Sequence, residues 1–85
     1  MVTDNNAISF YPNPTSDNVK IMVNKAFDND FVVEVYDNVG RLMQTTKKNK
    51  AETVFNVELN MFSAGTYIVH IYNPTRVCHI KVMKN

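Results

Sequence analysis

The feature that most constrains this chain is an alternation of apolar and polar side chains with a period of two residues. Successive side chains of an extended strand point to opposite faces of a sheet, so the alternation predicts strands that bury one face each. Seven segments show it: "AISFY", "NVKIMV", "FVVEVY", "RLMQT", "TVFNVEL", "TYIVHIY" and "VCHIKVM". No segment has the helical spacing of apolar residues. About seven short strands, separated by turn residues, predict an all-β fold: an immunoglobulin-like antiparallel β-sandwich.

Length and charge narrow the class of protein. The 85 residues suit one small domain, and 45% apolar residues suffice for a core. The net charge of +1 does not indicate a nucleic-acid or anionic-membrane partner, and "KKNK" at residues 47–50 reads as a solvated loop. No apolar run of about 18 residues predicts a membrane-spanning segment. We expect residues 1–6 to be an artificial start or a linker remnant, with residues 7–85 forming the domain and any export signal lying upstream.

The turn "DNVGR" at residues 37–41 predicts how two neighbouring strands pair. Its glycine, Gly40, suits the left-handed position of a three-residue hairpin loop, because glycine has no Cβ to clash there. The register that follows joins two pairs: Val35 with Met43 and Val33 with Thr45.

The turn "NPTR" at residues 73–76 predicts a second hairpin, with proline at a favoured turn position. The pairs that would face the core are apolar or aromatic: Tyr67 with Val82, Val69 with Ile80 and Ile71 with Cys78. Cys78 is the single cysteine, so no internal disulfide is possible and the compartment is not fixed by redox chemistry. We expect it to be a small buried hydrophobe.

The opposite face of that hairpin is a candidate partner-binding face. It carries five residues on alternate positions: Ile68, His70, Tyr72, Val77 and His79. Three of the five are apolar or aromatic, which is more than a face in water requires. The two histidines lie opposite one another, but no third ligand accompanies them, and two surface histidines explain the pair better than a metal site does.

Catalysis finds no support in the sequence. Nucleophile elbows, zinc-protease motifs and glycine-rich phosphate loops are missing, and the chain has only two glycines. The cysteine and the two histidines fall on opposite faces of the predicted hairpin, so no Cys–His pair forms. "FDNDF", with Asp28 and Asp30, reads as a hairpin loop, since calcium requires about six oxygen ligands. We expect neither an enzyme nor a cofactor.

The segment "YPNP" at residues 11–14 raises the question of why so stiff a stretch follows the first strand. Proline lacks an amide hydrogen and fixes φ, so both prolines are excluded from a paired strand interior. A rigid connector that keeps another chain from pairing at this end of the strand is the simplest interpretation.

Four segments in this order, "FYPNPTSDNVKI", "VYDNVGRLM", "LNMFSAGTYIVHI" and "HIKVMKN", resemble the type IX secretion system C-terminal sorting domain, also called the Por secretion system sorting domain. The resemblance covers residues 8–85. It implies a cargo signal of Bacteroidetes-type bacteria, exported through the periplasm to the cell surface or extracellular space. The implied partners are the outer-membrane translocation and sortase machinery and an upstream cargo domain, which is left on anionic lipopolysaccharide after cleavage.

By this resemblance, eight residues match sorting-domain motifs: Pro12, Asn13, Pro14, Gly40, Gly65, Tyr67, Lys81 and Lys84. Phe62 stands where the family commonly carries leucine. Cleavage in the family occurs upstream of the domain, so a site would lie in "VTDNN" or before it. The last strand is expected to present a free backbone edge near its two lysines, which a receptor could use by strand addition. Two alternatives remain open, namely an adhesive or carbohydrate-binding module and a passive structural spacer.

Overall fold

The computed structural model describes the backbone of residues 2–3 and the whole of residues 7–85. Within these residues the chain forms eight strands: β1 (Val2–Thr3), β2 (Ile8–Tyr11), β3 (Asn18–Val23), β4 (Phe31–Tyr36), β5 (Leu42–Lys48), β6 (Val54–Glu58), β7 (Gly65–Asn73) and β8 (Arg76–Lys84). The predicted linker at residues 1–6 falls mostly outside the described residues. No helix in the described part of the chain is long and apolar enough to cross a membrane.

The strands form two sheets, one in the order β1-β8-β7-β4-β5 and one in the order β2-β3-β6. β2 to β8 pair antiparallel with their neighbours, and the two-residue β1 pairs parallel with β8. If the seven antiparallel strands are lettered A, B, C, C′, E, F and G in chain order, the sheets read A-B-E and C′-C-F-G, as in immunoglobulin-like domains. The predicted antiparallel sandwich is confirmed.

The core lies between the two sheets and is built from the alternate residues that the sequence pattern places inward. Ile21, Val35 and Val69 are completely buried, one each on β3, β4 and β7. Burial of such a side chain contributes about 1.5–3 kcal/mol, so the inward faces of the strands supply most of the stability. Cys78 is also 0% exposed, as expected for a residue on the inner face of β8.

The hairpin of β7 and β8 has the predicted register at every position. Tyr67 pairs with Val82, and the remaining pairs follow in step to Asn73 with Arg76. The inner and outer faces of this hairpin are therefore assigned correctly from the sequence.

The predicted register of the β4–β5 hairpin is wrong by one residue. Val35 pairs with Gln44 instead of Met43, and Val33 pairs with Thr46 instead of Thr45. The register shifts between Val35 and the next residue, where β5 carries one extra residue as a β-bulge. Met43 is that extra residue, and its side chain still packs against the core.

The segment "FDNDF" is not a hairpin loop. It joins β3 in the three-stranded sheet to β4 in the five-stranded sheet. Each of these strands already has a neighbour on both sides, so β3 and β4 do not pair with one another. Phe27 lies at this crossing, is 4% exposed, and stacks on Phe31 with 4.5 Å between ring centroids. An apolar side chain inside the loop thus closes one end of the sandwich.

Candidate functional site

The segment after β2 lies against the edge of β8 that faces away from β7. The Asn13 side chain accepts a hydrogen bond from the backbone N–H of Met83 at 2.9 Å and donates one to the carbonyl oxygen of Lys81 at 3.4 Å. Pro12 and Pro14, on either side, are exposed and follow cis peptide bonds. One side-chain amide thus takes the place of a neighbouring strand at two backbone groups of β8.

Thr15 continues this contact through its backbone. Its N–H donates to the carbonyl oxygen of Met83 at 2.9 Å, and its carbonyl oxygen accepts from the N–H of Asn85 at 2.8 Å. Thr15 is 2% exposed, and its hydroxyl donates to the carbonyl oxygen of Asn18 at 2.7 Å. We call residues 13–15 the strap. It is firmly anchored at Thr15 and exposed at Asn13.

The expectation of a free edge on the last strand is therefore wrong where the strap lies, and also at Arg76 and Val77, where β1 pairs with the same edge. The backbone groups at Lys81 and Met83 that a receptor strand would need are occupied by the strap. The prediction failed because Asn13 and Lys81 are 68 residues apart, and no local pattern links them.

The two motif lysines have different environments. The Lys84 ammonium group is half-buried and donates to the carbonyl oxygen of Phe62 at 2.8 Å, so it ties β8 to the loop before β7. Lys81 is exposed on the outer face of β8. Lys81 is therefore the one of the two whose charge is directed to solvent.

Gly40 has the conformation that the sequence predicts, with φ at +85°. The turn is held by Asp37, whose carboxylate accepts from the backbone N–H groups of Arg41 at 2.9 Å and Val39 at 3.0 Å. The hydrogen bond from the Arg41 N–H is the main reason that the pKa of Asp37 lies below its ordinary value. The aspartate of "DNVG" was not singled out as a site residue, although it organises the loop.

Gly65 and Tyr67 form the corner where the chain passes from β6 to β7. The Tyr67 hydroxyl donates to the carbonyl oxygen of Ser63 at 2.6 Å, and its ring is 5% exposed and lies 5.4 Å from the ring of Phe62. This is the tyrosine corner of immunoglobulin-like folds, in which a tyrosine near the start of strand F bonds back to the preceding loop. Gly65 has φ at +155°, which disfavours a residue with a side chain. Phe62 fits this corner in place of leucine.

The five residues predicted as a partner-binding face lie together on the outside of the five-stranded sheet. We call Ile68, His70, Tyr72, Val77 and His79 the outer strip. All five are half-buried, whereas their inward neighbours on β7 and β8 are buried. His70 pairs with His79, and Tyr72 pairs with Val77, so the strip is continuous across the two strands.

Residues of β4 extend the outer strip sideways. Glu34 is the β4 partner of His70, and the Tyr36 ring lies 5.2 Å from the His70 ring between centroids. The Tyr36 hydroxyl donates to the Glu34 carboxylate at 2.8 Å, and this bond is the main reason that the pKa of Tyr36 is raised. The pKa of Tyr72 is raised mainly by burial.

Burial lowers the pKa of His70, the charge of His79 lowers it further, and Glu34 partly opposes both effects. The rings of His70 and His79 are 4.9 Å apart between centroids. Among the described residues, no group of three or more histidine, cysteine or acidic side chains is placed to hold a metal ion. A positive charge on His79 therefore disfavours protonation of His70.

Two shallow depressions flank the outer strip. One, of about 620 Å³, includes Tyr36, Gly40, Ile68 and Lys81 in its lining. The other, of about 500 Å³, lies at the opposite end of the sheet beside Tyr72. The first depression brings two motif residues that are distant in sequence, Gly40 and Lys81, to one place.

A polar cluster that sequence reasoning missed fastens the β3–β4 loop to the β7–β8 turn. The Asp28 carboxylate accepts from the side chain of Asn73 at 2.8 Å and from the hydroxyl of Thr75 at 3.1 Å. These bonds, led by the one from Asn73, lower the pKa of Asp28. The Arg76 guanidinium stacks over the ring of Phe27 at 3.9 Å and donates to the carbonyl oxygen of Lys25. The cluster is structural, and the aspartate is occupied by internal donors.

Comparison with known proteins supports the family resemblance that the sequence motifs indicate. The family model described as the secretion system C-terminal sorting domain matches residues 9–85. A search of the curated proteins finds no match. The family match spans nearly the whole sandwich, from β2 to the strand whose edge the strap covers. This chain therefore belongs to the type IX secretion C-terminal sorting domain family.

Proposed function

We propose that this domain directs an upstream cargo protein across the outer membrane through the type IX system and is then removed by a sortase-like protease. The observation that carries the proposal is the family match over residues 9–85. The domain is a type IX sorting signal by family, and the family is one of signals rather than enzymes. Transit through the periplasm and delivery to the cell surface or extracellular space are the route that this function requires.

The motif residues divide into those that build the fold and those that a partner can reach. Tyr67 is buried at its corner, and Gly40 shapes a turn, so both serve mainly to hold the sandwich together. Asn13 and Lys81 are exposed. The machinery therefore has to recognise the exposed motif residues or a surface that the buried ones support.

We propose that the outer strip is such a surface and that a component of the translocation machinery covers it. Its apolar members, Ile68, Tyr72 and Val77, lie on the face of the sheet that faces away from the core. The depressions beside the strip give a partner two places for inserted side chains. A buried aromatic anchor in such an interface is typically worth about 2 kcal/mol or more of binding energy.

The test is a reporter protein fused to residues 1–85, which keeps the segment "VTDNN", in a type IX-competent host. Release of the reporter supports sorting, and retention in the periplasm would favour the adhesive or spacer alternatives. A smaller mass of the released reporter, determined by mass spectrometry, would locate the cleavage site. An intact fusion protein outside the cell would contradict a cleavage site within residues 2–6 and would leave the sorting step standing.

Tyr72→Ser tests the outer strip within the same experiment. We expect reduced secretion, with Val54→Ser as the matched control, because Val54 is 55% exposed on the other sheet and lies outside the strip. Thermal unfolding of both purified variants must show folded domains. Equal secretion of the two variants would contradict the strip as the recognised face.

A further inference from the structure

The edge of β8 beneath the strap is covered by few contacts, as expected of a docking strand that a partner can uncover. Among the strap residues, Thr15 is buried, but Asn13 is exposed and its bond to the Lys81 carbonyl is long, at 3.4 Å. Pro12 and Pro14 have no N–H groups, so the backbone of the segment cannot supply donors to β8 at those positions. The cover over the Lys81 carbonyl and the Met83 N–H is therefore one side-chain amide, while the Met83 carbonyl is bonded by the backbone N–H of Thr15.

A backbone strand would satisfy the same two groups as well as Asn13 does. It would offer an N–H to the Lys81 carbonyl and a carbonyl to the Met83 N–H, which is the pattern of strand addition. Met83 is 52% exposed at this point and would gain apolar contact. Exchange of Asn13 for a strand thus keeps both the Lys81 carbonyl and the Met83 N–H hydrogen-bonded.

The charge of β8 indicates what kind of strand fits. From Arg76 to Lys84 the strand contains three basic residues and no acidic one. Arg76 is buried and Lys84 bonds the Phe62 carbonyl, so Lys81 is the basic residue of β8 that is exposed to a partner. In an antiparallel pair of two β8 strands centred on Lys81, two lysines would stand opposite each other, which is unfavourable. An extended segment with acidic side chains complements this edge better than a second copy of the domain.

We propose that the β8 edge at Lys81 and Met83 is a docking site for an extended acidic segment of the sorting machinery, and that Asn13 is the latch which covers it until the partner displaces it. The identity of the partner rests on the proposed sorting function. The latch and the binding edge rest on the geometry alone. Removal of Asn13 should therefore expose the edge without loss of the sandwich.

The first measurement is amide hydrogen exchange in purified domains that carry Asn13→Ala, Asn13→Asp or the control Asn60→Ala, which changes an exposed loop asparagine. We expect faster exchange at the Met83 amide in Asn13→Ala. Asn13→Asp keeps an acceptor for that amide and should stay close to wild type. Unchanged exchange in Asn13→Ala, with the thermal melt showing a folded domain, would overturn the latch.

The second measurement is binding of a synthetic peptide of alternating threonine and glutamate, followed by NMR shifts of the Lys81 and Met83 backbone. Asn13→Ala should bind it about tenfold more tightly than wild type, as expected when an internal competitor is removed. A peptide with lysine in place of glutamate, and one with methylated backbone nitrogens, should bind weakly. Equal binding of all three peptides, or none by Asn13→Ala, would overturn the docking edge.

The reporter assay separates this inference from the proposed function. If the wild-type fusion is secreted and no acidic peptide binds the opened edge, the sorting function stands and the docking edge fails. If the peptide binds as expected but the wild-type fusion is retained, the docking edge stands and its assignment to the sorting machinery fails.

Discussion

At the scale of single residues, several motif residues of this domain stabilise particular backbone conformations. Gly40 takes a left-handed conformation, and Tyr67 fastens a corner by one hydroxyl bond. A typical surface substitution leaves the free energy of unfolding almost unchanged, whereas substitutions at these two positions should lower it.

Gly40→Val should lower the free energy of unfolding by about 1–2 kcal/mol, because a β-branched residue is strained at φ +85°. A Cβ at this position would meet no atom within 4 Å, so the cost is one of backbone conformation and not of crowding. Gly40→Asn is the matched control, since asparagine tolerates this region better than valine does. Chemical denaturation of both variants measures the difference, and equal losses would contradict the interpretation.

Tyr67→Phe should cost about 1 kcal/mol, the value of a typical hydrogen bond, because the ring stays packed while the bond to the Ser63 carbonyl is lost. Chemical denaturation gives the free energy of unfolding. A Tyr11→Phe variant, which changes an exposed tyrosine, provides the baseline. A loss no larger than that baseline would show that the corner bond does not stabilise the domain.

At the scale of strands, the sequence pattern predicted what depends on local alternation and missed what depends on distant partners. The β7–β8 register follows from a short turn and period-two alternation, and it was predicted correctly. The β4–β5 register failed because Met43 is an apolar residue that fits either the regular strand or a bulge. The strap could not be predicted, since its partners lie some 70 residues away along the chain.

Lys81 and Lys84 should differ when each is changed to alanine. Lys84→Ala should lower the free energy of unfolding by about 0.5–1.5 kcal/mol, because it removes the hydrogen bond to the Phe62 carbonyl. Lys81→Ala should leave stability within about 0.5 kcal/mol, as for other exposed positions. Thermal melts measure both effects. If Lys81→Ala also reduces reporter secretion, the loss is one of recognition, and the reverse order of stabilities would contradict the structure.

At the scale of the whole molecule, the fold class followed from the sequence because both sheets bury one face only. The assignment of strands to sheets could not be predicted completely from the sequence. The polar loop residues of "FDNDF" suit a hairpin and a crossing between sheets equally well. Phe27, apolar within a polar loop, was the signal for the crossing. The outer strip was placed correctly, and its role in recognition stays a prediction.

The stability of the whole domain should fall as the solution is acidified. The pKa of His70 in the folded state lies below its ordinary value of 6.5, so the unfolded chain binds the proton more readily. Stability is then fully retained above about pH 6.5 and decreases as the pH falls from there towards the folded pKa. Chemical denaturation between about pH 7 and pH 5 should show this slope. His70→Asn should reduce it, and an unchanged slope in that variant would assign the effect to other groups.

The strap also has a consequence for the order in which the parts of the domain fold. Residues 13–15 are synthesised early, but their partners at residues 81–85 are synthesised some 70 residues later. A chain that emerges from the ribosome amino-terminus first can form the β2–β3 pairing well before these contacts exist. Contacts with such a long sequence separation are also slow to form. We therefore expect closure of the strap to be a late event of folding, so that a covered β8 edge would distinguish a finished domain from a nascent one.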